Sequence, residues 1–182
     1  MIEIMNENFV EQLVAKSGKR QLIDQGSYLF HEGDSVDAIH IVLDGMIELV
    51  RYQRDGTSIV LQRAVSQSVL AEASIYSEFY HCDAVAKFPS RVFQLPKSIF
   101  LTLLQQDKNL FNSWAARLAR EVQTARSQVE ILSRKTVSER LDGWLVWNGT
   151  ELPPKGAWKG IADQIGVSPE ALYREIAKRR RN

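Results

Sequence analysis

The rhythm of hydrophobic and polar positions changes twice along the chain. Over residues 6–20, Phe9, Leu13 and Val14 share one side at helical spacing and Gly18 provides a stop, which predicts a short amphipathic leading helix. From Gln21 to about Pro96 the apolar residues fall into short β-rich runs: Tyr28-Leu29-Phe30, Ile39 to Leu43, Met46 to Val50 and Ser58 to Gln62. Gly26, Gly33, Asp44-Gly45, Asp55-Gly56 and Pro89 punctuate this region, and such spacing of turn signals predicts an all-β barrel, sandwich or roll. Asp44-Gly45 and Asp55-Gly56 read as hairpin turns, because Asp and Gly tolerate the positive φ that such turns need.

After Pro96 the period lengthens to that of a helix, first through Ile99, Phe100, Leu103 and Leu104. From Lys108 onward, Phe111, Ala115, Leu118, Val122, Ala125, Val129 and Leu132 recur at alternating steps of four and three, an a/d seam. Arg117, Arg120, Glu121, Arg126 and Glu130 flank it, so the seam is a stripe on a polar rod. Such a stripe either packs on its own domain or pairs with a second copy of the chain; its narrowness favours the homodimer. A hinge is expected over residues 133–138, followed by a helix through Val137, Leu141, Leu145 and Val146 to the Asn148-Gly149 turn. Pro153-Pro154 and Lys155-Gly156 mark a loop, with a brief hairpin expected to pair Trp144–Gly149 with Gly156–Trp158.

The 182 residues, 45% hydrophobic and 25% charged, have ordinary globular composition, which excludes wholesale disorder and a coiled-coil-only chain. The start Met1-Ile2-Glu3-Ile4 has no basic leader and no apolar run is long enough to span a membrane, so a cytoplasmic protein without membrane contact is expected. One cysteine, Cys82, excludes a disulfide framework, a thiolate zinc site and an iron–sulfur ligand set within the chain. The formal net charge of +1 conceals a division: residues 1–133 carry 13 Lys and Arg against 16 Asp and Glu, whereas residues 134–182 carry 10 against 6. The C-terminal end is therefore basic.

That end holds the most specific pattern. Trp158 to Ile176 fits a helix-turn-helix. Ile161 and Ile165 give the first helix an inward face, Ala162 is small where the second helix crosses, and Gly166 and Val167 make and plug the turn. Ser168 is an N-cap, Pro169 sits at N1 where its missing N–H costs nothing, and Leu172 and Ile176 bury the second helix, expected over residues 168–179. Glu170, Tyr173, Arg174 and Lys178 are then outward. In a major groove Arg can make two bonds to guanine and Glu can accept from cytosine N4, so Glu170 and Arg174 are the base-reading candidates. Lys178, Arg179, Arg180 and Arg181 are expected on phosphates.

With these residues in place, the chain resembles the cyclic-AMP receptor protein and fumarate–nitrate regulator (Crp/Fnr) family of bacterial transcription regulators. The resemblance rests on Tyr28-Leu29-Phe30-His31-Glu32-Gly33-Asp34, Ile41-Val42-Leu43-Asp44-Gly45, Glu72 with Tyr76, the heptad helix, and Ser168-Pro169-Glu170 through Arg174. It implies an α+β protein: a cyclic-nucleotide-binding-like β-roll (a double-stranded β-helix) at 1–107, a long dimerisation helix at 108–134, and a minimally winged helix-turn-helix at 135–182. It also implies double-stranded DNA, a second copy, a small-molecule effector and RNA polymerase as partners.

Two departures qualify the resemblance. Cyclic-nucleotide-binding members read Gly-Glu-Leu followed by Arg-Ser or Arg-Thr; here the stretches are Ala71-Glu72-Ala73-Ser74 and Cys82-Asp83-Ala84. Glu72 keeps the ribose-binding carboxylate, but Cys82 replaces the phosphate-binding arginine and Asp83 adds negative charge, so cyclic AMP is disfavoured and the effector is unknown. Arg126 resembles the position that reaches the nucleotide base across the dimer, and either pairs with Asp83 or meets an anionic ligand. The expected effector pocket is thus Glu72, Ala73, Ser74, Cys82, Asp83 and Arg126. Family members also continue into a β-hairpin wing after the recognition helix, whereas the sequence in hand stops at Asn182.

Other classes fare worse. An enzyme of the cupin kind needs His-x-His, which His31, His40 and His81 do not form; neither a metal site nor catalysis is expected. Cys82 reads as a small buried hydrophobe rather than a redox thiol, because Asp83 beside it raises the thiol pKa. The alternative function is a β-roll ligand-binding or interaction module with weakened or lost DNA binding.

Overall fold

The computed structural model describes residues 9–181, which divide into two compact units, Met1–Leu118 and Ala119–Asn182. The division falls inside the long helix rather than at either of its ends. Part of the leading-helix expectation lies outside the described residues; within them, residues 9–14 form helix α1.

The first unit is an antiparallel sheet of six strands: β1 Lys19–Ile23, β2 Tyr28–Phe30, β3 Ala38–Tyr52, β4 Ser58–Val65, β5 Ser68–Leu70 and β6 Asp83–Pro96. The path runs β1-β6-β3-β4, with β2 also on β6 and β5 also on β3. A single 3-10 turn, Glu72–Ser74, follows β5, and helix α2, Lys97–Gln106, follows β6.

The Asp44-Gly45 hairpin is not formed. The two runs from Ile39 to Val50 belong to one 15-residue strand, β3, whose register against β6 shifts between Val42 and Ile47. Gly45 sits in this irregularity at φ +86°, and a Cβ there would come within 2.4 Å of the Pro89 carbonyl oxygen. The glycine therefore serves a bulge and a close backbone approach, which also require positive φ, instead of a chain reversal. Asp55-Gly56 does reverse the chain: Gln53 N–H donates to the Thr57 carbonyl (2.7 Å) and Asp55 accepts from the Thr57 N–H and hydroxyl.

Because successive strand residues point to opposite faces, β3 and β6 feed two apolar clusters. Val42, Ile47, Leu49 and Val92 join Ile23, Phe30, Leu70, Cys82 and Ala84 inside the roll. Ile39, Ile41, Phe93 and Leu95 instead meet Phe9, Leu13, Phe100, Leu104, Leu110 and Trp114 from the helices. Trp114 is 1% exposed, stacked on Phe9 and edge-on to Phe100, so its truncation to Ala should cost about 3–5 kcal/mol.

The long helix α3, Lys108–Ser133, begins in this unit and ends in the second. The second unit continues with α4 Val137–Asn148, a 3-10 turn at Lys155–Ala157, α5 Trp158–Gln164 and α6 Pro169–Arg179. Thr136 and Glu139 form a capping box that starts α4 after the expected hinge. The brief hairpin expected around the loop is absent. Trp144 through Asn148 stay in α4, Pro153-Pro154 withhold two ladder donors, and the indole Nε1 of Trp158 donates to the Pro153 carbonyl (2.9 Å). Ile131, Leu141, Trp144, Trp158, Ile161, Ala162, Ile165, Leu172 and Ile176 make this unit's core.

Candidate nucleic-acid interface and effector cassette

In the second unit the sequence pattern is realised position by position. Ile161, Ala162, Ile165, Leu172 and Ile176 are buried, and Val167 packs against them. Gly166 makes the turn at φ +64°. The Ser168 hydroxyl accepts from the Ala171 N–H (3.2 Å), with Pro169 at the helix start. Two supports were not legible in the periodicity. The Arg140 guanidinium donates to the carbonyls of Ile165 and Gly166 (3.1 and 3.0 Å), placing a cation on the free carbonyls that end α5. Trp144 Nε1 donates to Gln164 Oε1 (2.6 Å), and the Gln128 amide donates to the Gln164 carbonyl. A cation or amide on a neighbouring helix leaves no local signature.

The outward face of α6 consists of Glu170, Tyr173, Arg174, Ala177 and Lys178, all exposed. Hydrogen bonds from its own N–H and from the Ser168 hydroxyl, with the charge of Arg174, hold the Glu170 carboxyl below its ordinary value. It is thus an ionised acceptor, four residues before a guanidinium donor. The basic tail is sorted unequally. Lys178 is exposed, the Arg181 Nε donates to the Ala177 carbonyl (3.3 Å), and Arg180 lies over the Trp158 ring. Arg179 turns back into the unit. It donates to Glu175 (2.8 Å), to Asp142 (2.6 Å) and to the Ser138 carbonyl and hydroxyl (2.9 and 2.8 Å).

On α3 the seam faces away from the packed sides of the helix. Phe111, Ala115, Val122, Ala125, Val129 and Leu132 are exposed in the single chain, Val129 at 65%, and Leu118 is partly buried. The helix packs within its units through other residues, Leu110 and Trp114 at one end and Ile131 at the other.

In the first unit the cassette residues have separate fates. Ala71, where the resemblance has glycine, takes the left-handed conformation at φ +55° to enter the 3-10 turn. Glu72 is nearly buried and accepts from the Gln62 amide (2.9 Å), whose oxygen in turn accepts from the Ala71 N–H (3.2 Å). Ser74 is buried with its hydroxyl 3.3 Å from His81 Nδ1, and Ala73 is exposed. Cys82 points into the roll core at 0% exposure, and that burial pushes its thiol pKa up, opposed by Arg51 and assisted by Asp83. Asp83 lies 3.0 Å from His31 Nδ1 and accepts from the Glu32 N–H (3.2 Å), partners inside its own unit. Arg126 is exposed on α3, in the second unit. Among the described residues no cluster of His, Cys, Asp and Glu could hold a metal ion, and no helix is long and apolar enough to cross a membrane.

Comparison with known proteins agrees with this architecture. Residues 20–107 match the cyclic nucleotide-binding domain family. Over 175 residues the chain is 24% identical to the nitrogen fixation regulation protein FixK of Bradyrhizobium diazoefficiens, covering 91% of this chain and 73% of that protein. It is 26% identical over 124 residues to the cyclic AMP receptor protein of Thermus thermophilus, covering 68% of this chain and 57% of that protein. The structure of FixK2 from Bradyrhizobium japonicum shares the fold, with TM-score 0.68 at 18% identity, covering 90% of this chain and 84% of that one.

Proposed function

Since the chain is a Crp/Fnr-family regulator with a cyclic nucleotide-binding domain at residues 20–107, we propose that it is a non-catalytic homodimer that reads a palindromic operator through α6. The observation that carries this reading is the outward face of α6, where Glu170, Tyr173, Arg174 and Lys178 stand exposed on a helix that is capped, buried and clamped from behind. A helix presented in this way offers its N-terminal side chains to base edges in a major groove. The exposed seam supports pairing through α3, and two recognition helices related by a two-fold axis would read half-sites about one DNA turn apart.

The effector is something other than cyclic AMP. Cys82 lies in the core, where it offers no charge, and a cyclic phosphate approaching Asp83 would meet a like charge at short range. Titration with cyclic AMP should release no heat and leave DNA affinity unchanged; micromolar binding would reverse this part of the reading. The DNA-binding part is tested by gel shift of the full chain with genomic fragments. Specific binding that survives excess competitor DNA is expected. Retardation that competitor abolishes for every fragment would instead favour a β-roll interaction module.

A further inference from the structure

Building on the reading of α6 as a DNA reader, we propose that Arg180 and Lys155 form a dedicated phosphodiester-binding site beside the base-reading face, gripping the sugar–phosphate backbone of the same duplex. The site is a groove of about 230 Å³ in the second unit, lined by Lys155, Trp158, Tyr173, Ile176, Ala177 and Arg180. Trp158 is 5% exposed and tied by its Nε1 to the Pro153 carbonyl, so its indole is a fixed wall. The Arg180 guanidinium lies over that ring, 5.2 Å from its centroid, and Tyr173 tilts toward the same ring at 5.7 Å.

A cation held over an aromatic ring by the ring's quadrupole keeps its N–H donors available for an acceptor. Among the described residues no hydrogen bond or ion pair engages the Arg180 side chain, in contrast to Arg179 next to it, which bonds Glu175, Asp142 and Ser138. Arg180 is therefore a guanidinium held at the groove with no acceptor among the described residues, and Lys155, carried on the 3-10 turn before α5, adds a second cation to the same groove. No carboxylate lines the groove. An apolar floor with two cations complements a sugar joined to a phosphodiester. Tyr173 and Ala177 belong both to the groove and to the outward face of α6, which makes the groove continuous with the base-reading surface. Such contacts fix register on the duplex and carry no sequence information.

The test measures affinity of the full chain for operator and for unrelated duplex across a salt series. Arg180→Ala and Lys155→Ala should each weaken both duplexes by the same factor. Each should also reduce the slope of log affinity against log salt by about 1.8 for the bound homodimer, the share of one phosphate per protomer. Arg180→Lys should keep the slope and still lose affinity, because a point charge replaces the guanidinium. Both sites are at the surface of the unit, and unchanged circular dichroism would exclude unfolding as the cause. Specific binding by the native chain with slopes unchanged in both alanine variants overturns the phosphate site alone. A native chain without duplex affinity at low salt overturns the reading of α6 as well.

Discussion

Glu170 and Arg174 stand four residues apart at the start of α6, one an ionised acceptor and the other a planar donor. Arg174→Ala should lose about 1–3 kcal/mol of binding on the operator and little on unrelated DNA, read by competition gel shift; an equal loss on both would make Arg174 a phosphate contact. Both residues were legible from the cap and spacing alone, since a helix start fixes which side chains face outward. His40 was not legible as anything but a histidine. It is 5% exposed, with Nε2 3.0 Å from the Tyr80 hydroxyl, while Nδ1 has no partner among the described residues. The Tyr80 hydroxyl is also 3.3 Å from the Ala38 carbonyl, to which it donates, so the imidazole is held in the core through Nε2 alone among the described residues. Burial lowers its pKa from 6.5 to about 4. A folded-state pKa below the unfolded value gives stability that is full above pH 6.5 and is lost as pH falls toward 4. By the conversion of pKa shift to free energy the loss should reach about 3 kcal/mol near pH 4, of which about 2 kcal/mol falls between pH 7 and pH 5. Urea unfolding at pH 7 and pH 5 checks this, with His40→Met expected to flatten the dependence.

At the scale of elements, sequence periodicity found the helices and the β region but misjudged two connections. Asp44-Gly45 looked like a turn because the residues that permit reversal also permit a bulge, and only the partner strand distinguishes them. The two short hydrophobic runs therefore fused into β3. The second misjudgement, the hairpin before α5, failed on Pro153-Pro154 and on the hydrogen bond that Trp158 makes to the loop. Arg179 belongs to this scale too. In sequence it is one of four consecutive cations, but in the fold it joins α6 to α4 through Asp142 and Ser138. The bonds from Arg179 and Ser138 hold the Glu175 carboxyl below its ordinary pKa. Because Arg179 and Asp142 are partly exposed, Arg179→Ala should destabilise the unit by only about 1 kcal/mol. It should leave the salt dependence of DNA binding unchanged, and Asp142→Ala should reproduce its effect on stability. A shallower salt slope in Arg179→Ala would return this residue to the DNA backbone.

For the molecule as a whole, an acidic stretch of net −3 over residues 1–133 and a basic one of net +4 over residues 134–182 were already separable in the sequence. The α3 seam is where a second copy would act. Leu118 is partly buried in its own unit, so Val122, exposed at 49%, gives the cleaner test. Val122→Glu should leave each chain folded, convert the dimer to monomer by sedimentation, and weaken operator binding; a variant that stays dimeric would remove α3 as the pairing element. The sequence by itself determined the order of elements, the helix-turn-helix with its cap and turn, the outward-facing residues of α6 and the seam, because each depends on spacing along a single helix or strand. Only the tertiary structure decided that Asp83 meets His31 and the Glu32 amide, that Gln62 holds Glu72, and that the adjacent Arg179 and Arg180 have different partners. Those outcomes depend on which side chains from distant parts of the chain converge, and burial and hydrogen-bond satisfaction settle that only once the chain has folded.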